Sequence, residues 1–305
     1  MGNAVLRRRL PAIAAGLASI AMALGLAAIP AQAAPASTID YVALGDSYTA
    51  GTGAGAALRP AGVSCWQSHP GYVDIVAKIG RVDLVENAAC HGAVLSTASP
   101  TYDPVVYTPT VQEQLQGLVS SGKLSPDTEL VSITAGANDL GFSRVLGVCA
   151  FYGETACQAA IAQATSPAAL AFLTTGLVQA YSAIHQAAPN ARIVVLGYPL
   201  LFEPSSVFAP IPVTNQMLIN QATLTVNGTI SGAVDTANGL YGTNARYVDV
   251  TARFAGHAAN SLDPWLRLDP NNFAADYNFH PNAAGHRAYA SAVRSAISSA
   301  PLAVQ

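Results

Sequence analysis

Short apolar segments recur along the chain and alternate with stretches of helical periodicity, and this alternation constrains the fold most strongly. The segments have four to six residues, which suits strands buried on both faces. The stretches between them are long enough for crossover helices. The pattern therefore predicts βαβ units and a parallel sheet covered by helices on both faces. The predicted strands are Ile39–Leu44, Val82–Glu86, Leu130–Thr134, Arg192–Leu196 and Ala245–Val250.

Five such strands in one domain predict an α/β, flavodoxin-like, doubly wound fold with a five-stranded parallel sheet. Long loops are expected at Val94–Pro109 and Pro199–Val213. In this architecture, function lies at the carboxyl ends of the strands. The predicted helices are Tyr72–Ile79, Thr110–Ser121, about Pro167–Ala188, Gln216–Ala237, and a last one from Pro281 to about Ser298.

The amino terminus has the pattern of an export signal. Arg7–Arg9 give a positive start, Leu10–Ile29 is an apolar run, and Ala31–Ala33 has the small-x-small spacing of a cleavage site. We therefore predict a signal peptide over residues 1–33, a single folded domain over residues 34–305, and an extracellular location. A retained membrane anchor is the alternative, which the proline and glycines in the run weaken. The arginines leave open a twin-arginine export route.

Composition excludes several function classes. The 305 residues carry 14 Lys and Arg against 17 Asp and Glu, a formal net charge of −3, with no basic cluster after the leader. That balance argues against a nucleic-acid partner. No H-E-x-x-H or comparable group predicts a metal, and no cofactor is expected. We expect a monomer that has at most transient contact with a lipid interface.

Four cysteines remain in the exported part of the chain, and no two have C-x-x-C spacing. An even count in an exported protein suggests two disulfides, for which three connectivities are possible. Sequence alone does not choose among them. Closure of the shortest loop favours Cys149–Cys157, which leaves Cys65–Cys90.

The stretch YVALGDSYTAGTGAG, residues 41–55, ends the first predicted strand. Its glycines do not form the G-x-G-x-x-G or G-x-x-x-x-G-K-[ST] patterns of phosphate loops, so nucleotide binding is disfavoured. Ser47 leaves the strand end directly and would lie at the mouth of the sheet. A serine at such a position is more often a helix N-cap than a nucleophile, and catalysis requires partners.

Suitable partners follow the other strands. Gly92 comes after the second strand, Asn138 after the third, and His280 directly before Pro281, which suits the first turn of the last helix. Asp46 and Asp139 flank these positions, and we expect them to cap helices or hold loops rather than to form an acid–base pair.

The ordered set GDS, a glycine after the second strand, GAND and HP resembles the SGNH (GDSL) hydrolase superfamily across essentially the whole mature chain. The resemblance implies the SGNH hydrolase fold, Ser47 as nucleophile and His280 as general base. It also implies an oxyanion hole made by the backbone N–H groups of Ser47 and Gly92 and by the Asn138 amide. Such neutral donors stabilise the charge of a tetrahedral intermediate.

One position departs from the family pattern, in which an aspartate lies three residues before the histidine. Tyr277 occupies that position, and Asp276 lies one residue further away. Either Asp276 reaches the imidazole through a shifted loop, or a main-chain carbonyl at Tyr277 or Asn278 accepts the Nδ1–H and leaves a Ser–His dyad. A carbonyl can orient the ring, although it stabilises imidazolium less, and we favour it.

Apolar segments after the fourth and fifth strands should line the cleft and suit an acyl chain. The sequence therefore predicts a secreted lipase or carboxylesterase, or a phospholipase A. A carbohydrate acetylesterase is the alternative suggested by Trp66, Tyr102 and Tyr107, and a non-catalytic secreted binding protein is the rival from another class. The segments are Leu200–Phe202 and Val207–Pro212, together with Phe254, Trp265 and Leu266.

Overall fold

The computed structural model describes residues 38–58, 65–205 and 211–298, with the side chains of 56–58 excepted. The predicted signal peptide lies outside these residues, as does most of the apolar loop 207–212. Within the described part the strands are β1 (Ile39–Gly45), β2 (Ala56–Leu58), β3 (Gln67–His69), β4 (Val82–Asn87), β5 (Leu130–Thr134), β6 (Arg192–Leu196) and β7 (Ala245–Val248).

Five of the strands form the predicted parallel sheet, in the order β4-β1-β5-β6-β7. Counted along the sheet strands alone, this is the order 2-1-3-4-5 of a flavodoxin-like fold. The central strand β5 is buried throughout, whereas the edge strands β4 and β7 are only partly buried. The fold class predicted from the sequence is confirmed.

The helices are α1 (Tyr72–Val76), α2 (Val111–Ser120), α3 (Phe142–Phe151), α4 (Gly153–Ala164), α5 (Pro167–Ala187), α6 (Val213–Tyr241) and α7 (Ala283–Ser298), with a short 3₁₀ turn at Thr251–Phe254. Helices α1 and α7 pack together on one face of the sheet, whereas α2 and α5 contact each other and α5 contacts α6 on the other. The core therefore lies in two layers, one on each side of the sheet.

Helix α5 is the one described helix that is long and apolar enough to cross a bilayer by length and composition. Its apolar residues Leu173, Leu177 and Ile184 are fully buried in the protein core. Packing against the sheet and α6 accounts for its composition.

Helices α3 and α4 were not predicted, and neither was the two-stranded β2–β3 hairpin. Helical patterning is weak over residues 142–164 because alanines and glycines blur the contrast between buried and exposed positions. Tyr152 alone lies between the two helices, α4 begins at Gly153 with φ +79°, and the Cys149–Cys157 disulfide joins them. The second disulfide joins Cys65 to Cys90, so the favoured connectivity is formed.

Residues 255–282 connect the 3₁₀ turn to α7 with little regular structure. A single antiparallel bridge pairs Leu266 with Pro281. Beside it, the Phe279 N–H donates to the Arg267 carbonyl at 2.7 Å, and the Arg267 N–H donates to the His280 carbonyl at 2.8 Å. We call residues 255–282 the histidine loop, because it presents His280 at the carboxyl edge of the sheet.

Candidate active site

Strand β1 ends in a turn that only glycine can make. Gly45 has φ +127°, and a Cβ there would lie 2.1 Å from the Thr134 carbonyl oxygen on β5. The Gln114 side chain holds both polar groups of this residue, since Gly45 N–H donates to Oε1 at 2.8 Å and Nε2 donates to the Gly45 carbonyl at 3.0 Å. The turn is therefore fixed immediately before Asp46 and Ser47.

The Ser47 hydroxyl faces a histidine. Its Oγ lies 2.7 Å from Nε2 of His280, although the two residues are 233 positions apart. The N-cap alternative does not describe this serine, because residues 47–53 form turns instead of a helix and the Ser47 Oγ contact is to an imidazole, not to a backbone N–H. A serine hydroxyl hydrogen-bonded to an imidazole is the arrangement that allows proton removal during nucleophilic attack.

The other ring nitrogen of His280 faces the main chain. Nδ1 lies 2.9 Å from the Asn278 carbonyl oxygen, two residues earlier. This contact makes Nδ1 the protonated nitrogen and leaves Nε2 free to accept from Ser47. Asp276 is an exposed residue of the histidine loop, and Nδ1 contacts the main-chain carbonyl, which is the orienting group that the sequence favoured.

Burial lowers the pKa of His280 to about 3, and the neighbouring His91 adds to this effect, while the Asn278 carbonyl opposes it. The ring is therefore neutral at physiological pH, as a general base must be before the reaction. His91 lies beside it, with ring centroids 5.4 Å apart, and the Thr52 hydroxyl is 3.0 Å from His91 Nδ1.

The three residues predicted to form an oxyanion hole, Ser47, Gly92 and Asn138, line one pocket together with His280. Among the described residues, the N–H groups of Ser47 and Gly92 have no hydrogen-bond acceptor. The Asn138 Nδ2 donates to the Ala93 carbonyl at 2.9 Å, which fixes the amide and leaves its second N–H available. Gly92 has φ +80°, a conformation that suits glycine.

A buried carboxylate supports the nucleophile turn from behind. Asp46 accepts hydrogen bonds from the Thr134 hydroxyl at 2.6 Å and from the Tyr198 hydroxyl. The same Tyr198 oxygen accepts the Ala137 N–H at 3.3 Å, one residue before Asn138. Burial raises the pKa of Asp46 to about 6. Asp46 thus holds loops, as predicted.

Asp139 also holds a loop, since both of its oxygens accept the Leu95 N–H, at 3.0 and 3.2 Å. Burial raises the pKa of this carboxyl to about 6 as well. These contacts join the turn after β5 to the start of the loop after β4. These hydrogen bonds therefore help to fix the position of Asn138 relative to Gly92, the two oxyanion candidates on those segments.

The pocket has an apolar wall next to its polar end. Leu201 lies on this wall, as predicted, whereas Leu200 and Phe202 do not line the pocket, and the expected residues 207–210 lie outside the described part of the chain. Phe254 and Leu266 are buried in the core, and Trp265 stacks on His257. Phe254 packs edge to face against Trp265 of the histidine loop and Tyr289 of α7 and does not line the pocket. The apolar wall is formed by Phe142, Leu146, Leu201, Val226 and Phe279.

Comparison with known proteins places this geometry in a family. Residues 43–288, which contain Ser47, Gly92, Asn138 and His280, match the model of the GDSL-like Lipase/Acylhydrolase family. The chain belongs to this family. Its fold and the order of its motifs agree with that membership.

Similar proteins come from Streptomyces. The chain is 33% identical to Lipase 1 of Streptomyces coelicolor over 273 residues, covering 88% of this chain and 92% of that protein. A crystal structure of an extracellular lipase from Streptomyces rimosus is 31% identical with a TM-score of 0.68, covering 85% of this chain and 100% of that one. Phospholipase A1 from Streptomyces albidoflavus NA297 is 30% identical with a TM-score of 0.70, covering 85% and 99%.

Sequence reasoning missed three parts of the site. Gln114 lies in the first turn of α2, and nothing in its sequence context distinguishes it from a surface glutamine. Tyr198 lies two residues after the end of β6, so the rule that function lies at strand carboxyl ends could have found it. Phe142 and Leu146 were missed because α3 itself was missed.

Proposed function

We propose that this protein is a secreted serine ester hydrolase of the lipase or carboxylesterase type, acting through a Ser47–His280 acyl-enzyme. The observation that carries the proposal is the 2.7 Å contact between Ser47 Oγ and His280 Nε2 beside two unpaired backbone donors. Family membership and the named lipases among its relatives support the same reaction class.

In the proposed acylation step, Ser47 Oγ bonds to the carbonyl carbon of the ester while its proton passes to His280 Nε2. The carbonyl oxygen becomes an oxyanion, which accepts hydrogen bonds from the N–H groups of Ser47 and Gly92 and from Asn138 Nδ2. The carbon–oxygen bond to the alcohol then breaks, and the departing oxygen takes the proton from His280. Water repeats the sequence on the acyl-enzyme and releases the acid.

In this mechanism the Asn278 carbonyl orients the imidazole ring of His280, a role that a carboxylate has in a catalytic triad. A carbonyl fixes the tautomer and the direction of the ring, which are the main duties of the third group in a triad. Because it carries no full charge, it stabilises the imidazolium less than an aspartate would. On this proposal Asp276 has no direct part in proton transfer.

The pocket divides into two parts that suit an acyl ester. Ser47, His280 and His91 lie at its polar end, whereas Phe142, Leu146 and Val226 provide apolar surface for an acyl chain. The named lipases and phospholipase A1 among the relatives support long-chain or phospholipid esters as substrates. The predicted signal peptide and the extracellular lipase among the relatives support secretion.

Hydrolysis of p-nitrophenyl esters from acetate to palmitate tests the proposal, using mature protein, Ser47→Ala, and Ser120→Ala as a matched control on the surface of α2. We expect activity that peaks at medium or long chains, is lost in Ser47→Ala and is retained in Ser120→Ala. Activity on acetate alone would point to a small-acyl or carbohydrate esterase. Folded protein with no activity and no labelling of Ser47 by a fluorophosphonate would point to a binding protein.

A further inference from the structure

Tyr48, the residue after the candidate nucleophile, reaches across the site to the loop that carries the candidate base. Its hydroxyl donates to the Phe279 carbonyl at 2.7 Å, although the two residues are 231 positions apart. Its ring lies 5.3 Å from the His280 ring and 5.2 Å from the Tyr198 ring, centroid to centroid. One side chain therefore contacts the nucleophile turn, the base and the peptide that precedes the base.

The Phe279 residue that Tyr48 holds has an unusual backbone. Its φ of +61° lies in the left-handed region, which a bulky residue adopts only when its surroundings impose it. Three contacts impose it here: the N–H of Phe279 donates to Arg267, its carbonyl accepts from Tyr48, and its ring packs against Phe202 and Phe273. The N–H of His280, on the same peptide, donates to the Tyr277 carbonyl at 3.2 Å, so Tyr48 supplies one of the two hydrogen bonds on the peptide between Phe279 and His280, and the shorter one.

That backbone shape is what brings the Asn278 carbonyl to the His280 ring. Asn278 and His280 are separated by Phe279 alone, so a change in the Phe279 dihedrals would move the carbonyl away from Nδ1. A side-chain carboxylate could rotate to keep its hydrogen bond if the imidazole ring moved. The position of a main-chain carbonyl is set by the backbone dihedrals alone. Because position 277 is a tyrosine and not an aspartate, the orientation of the His280 ring depends on the backbone conformation.

We propose that Tyr48 is a positioning residue for the general base, because its phenolic hydrogen bond fixes the Phe279–His280 peptide and, through it, the ring of His280. This inference rests on the proposed Ser47–His280 chemistry. Burial and the nearby Asp46 carboxylate raise the pKa of Tyr48 above its usual range, so the hydroxyl stays a donor at every pH at which the enzyme would work.

The variant Tyr48→Phe removes the hydroxyl and keeps the ring. Tyr41→Phe is its matched control, since Tyr41 is a fully buried tyrosine of β1 whose hydroxyl is 2.6 Å from Ser132 Oγ. Both variants lose one buried tyrosine hydroxyl, and we expect similar falls in Tm. We expect kcat on a p-nitrophenyl ester to fall roughly tenfold in Tyr48→Phe alone, the rate equivalent of one buried hydrogen bond, with KM little changed.

A spectroscopic readout tests the positioning without relying on turnover. In ¹⁵N-histidine-labelled protein, the His280 Nδ1–H bonded to the Asn278 carbonyl should give a protected downfield resonance, assigned by its loss in His280→Gln. We expect the resonance in wild type and Tyr41→Phe, and its broadening or loss in Tyr48→Phe. An unchanged resonance with wild-type kcat in a folded Tyr48→Phe protein would overturn the inference.

Failure of the proposed function has a different outcome. If Ser47→Ala retained the activity of wild type, the acyl-enzyme proposal would fall whatever Tyr48→Phe did. If activity depended on Ser47 but both tyrosine variants behaved alike, only the role of Tyr48 would be rejected.

Discussion

Removal of the Asn138 side chain should slow catalysis without weakening substrate binding. In the resting site Asn138 Nδ2 donates to the Ala93 carbonyl at 2.9 Å, and the Thr101 hydroxyl donates to the Asn138 main-chain carbonyl at 2.8 Å. On the proposed mechanism the second N–H donates to the oxyanion, which exists only in the transition state and the intermediate. We therefore expect Asn138→Ala to lower kcat by about 10²–10³-fold, the usual cost of one oxyanion donor, with KM nearly unchanged.

The same substitution also removes the hydrogen bond to Ala93, which should cost about 1 kcal/mol of stability. Asn215→Ala is the matched control, because Asn215 of α6 also donates one side-chain hydrogen bond to a main-chain carbonyl, from Nδ2 to Cys149 at 2.7 Å, and does not line the pocket. Kinetics on a p-nitrophenyl ester and thermal unfolding of both variants separate the two effects. A loss in kcat of less than threefold, or a loss confined to KM, would refute the assignment of Asn138 to the oxyanion hole.

Four further predictions follow from the histidines, the loop carboxylate and a disulfide. Asp276→Ala should retain substantial kcat in ester hydrolysis, and a loss as large as that of His280→Ala would return the orienting role to this carboxylate. Because the pKa of His280 is lowered to about 3, kcat/KM should lose its neutral base only as the pH falls toward that value, and a pH profile with a limb at 6.5 would contradict this. Burial lowers the pKa of His286 to about 4, so the stability this neutral ring provides is complete above pH 6.5 and is lost as the pH falls through 4; the Tm of His286→Asn should consequently fall less between pH 6.5 and 4 than that of wild type. Reduction of Cys65–Cys90, which spans 25 residues, should cost about 3 kcal/mol in denaturant unfolding and should lower kcat, since Cys90 lies two residues before Gly92.

The sheet was predictable because its strands are short, apolar and bounded by polar turns. Val131 and Ile133 of β5 and Val194 of β6 are fully buried. Because helices cover both faces of the sheet, such strands have nearly continuous apolar sequences, which can be recognised without a structure. The positions of Ser47, Gly92 and Asn138 at the carboxyl edge then follow from the direction of the strands. Their meeting in one pocket with His280 is a consequence of topology.

Other parts of the site depend on contacts that local sequence does not encode. Gln114 binds Gly45 across 69 positions, and the choice between Asp276 and a carbonyl depended on the backbone dihedrals of Phe279. A left-handed phenylalanine has no sequence pattern, since the conformation is imposed by contacts formed after folding. The sequence therefore left the orienting group open, with one of its two alternatives matching the structure.

The candidate site residues lie in two regions that differ in rigidity, namely the ends of the sheet strands and the histidine loop. Ser47, Gly92 and Asn138 leave the ends of sheet strands, whereas His280 is carried by 28 residues, 255–282, with one β-bridge. Irregular segments of this kind open locally at a lower free energy than core strands do. The amides of Arg267 and Phe279 should exchange with deuterium sooner than those of Val131 and Val194, and on heating activity should disappear before the sheet melts. Enzyme inactivated in this way would regain activity on cooling, because the rest of the fold would still be in place to receive the loop.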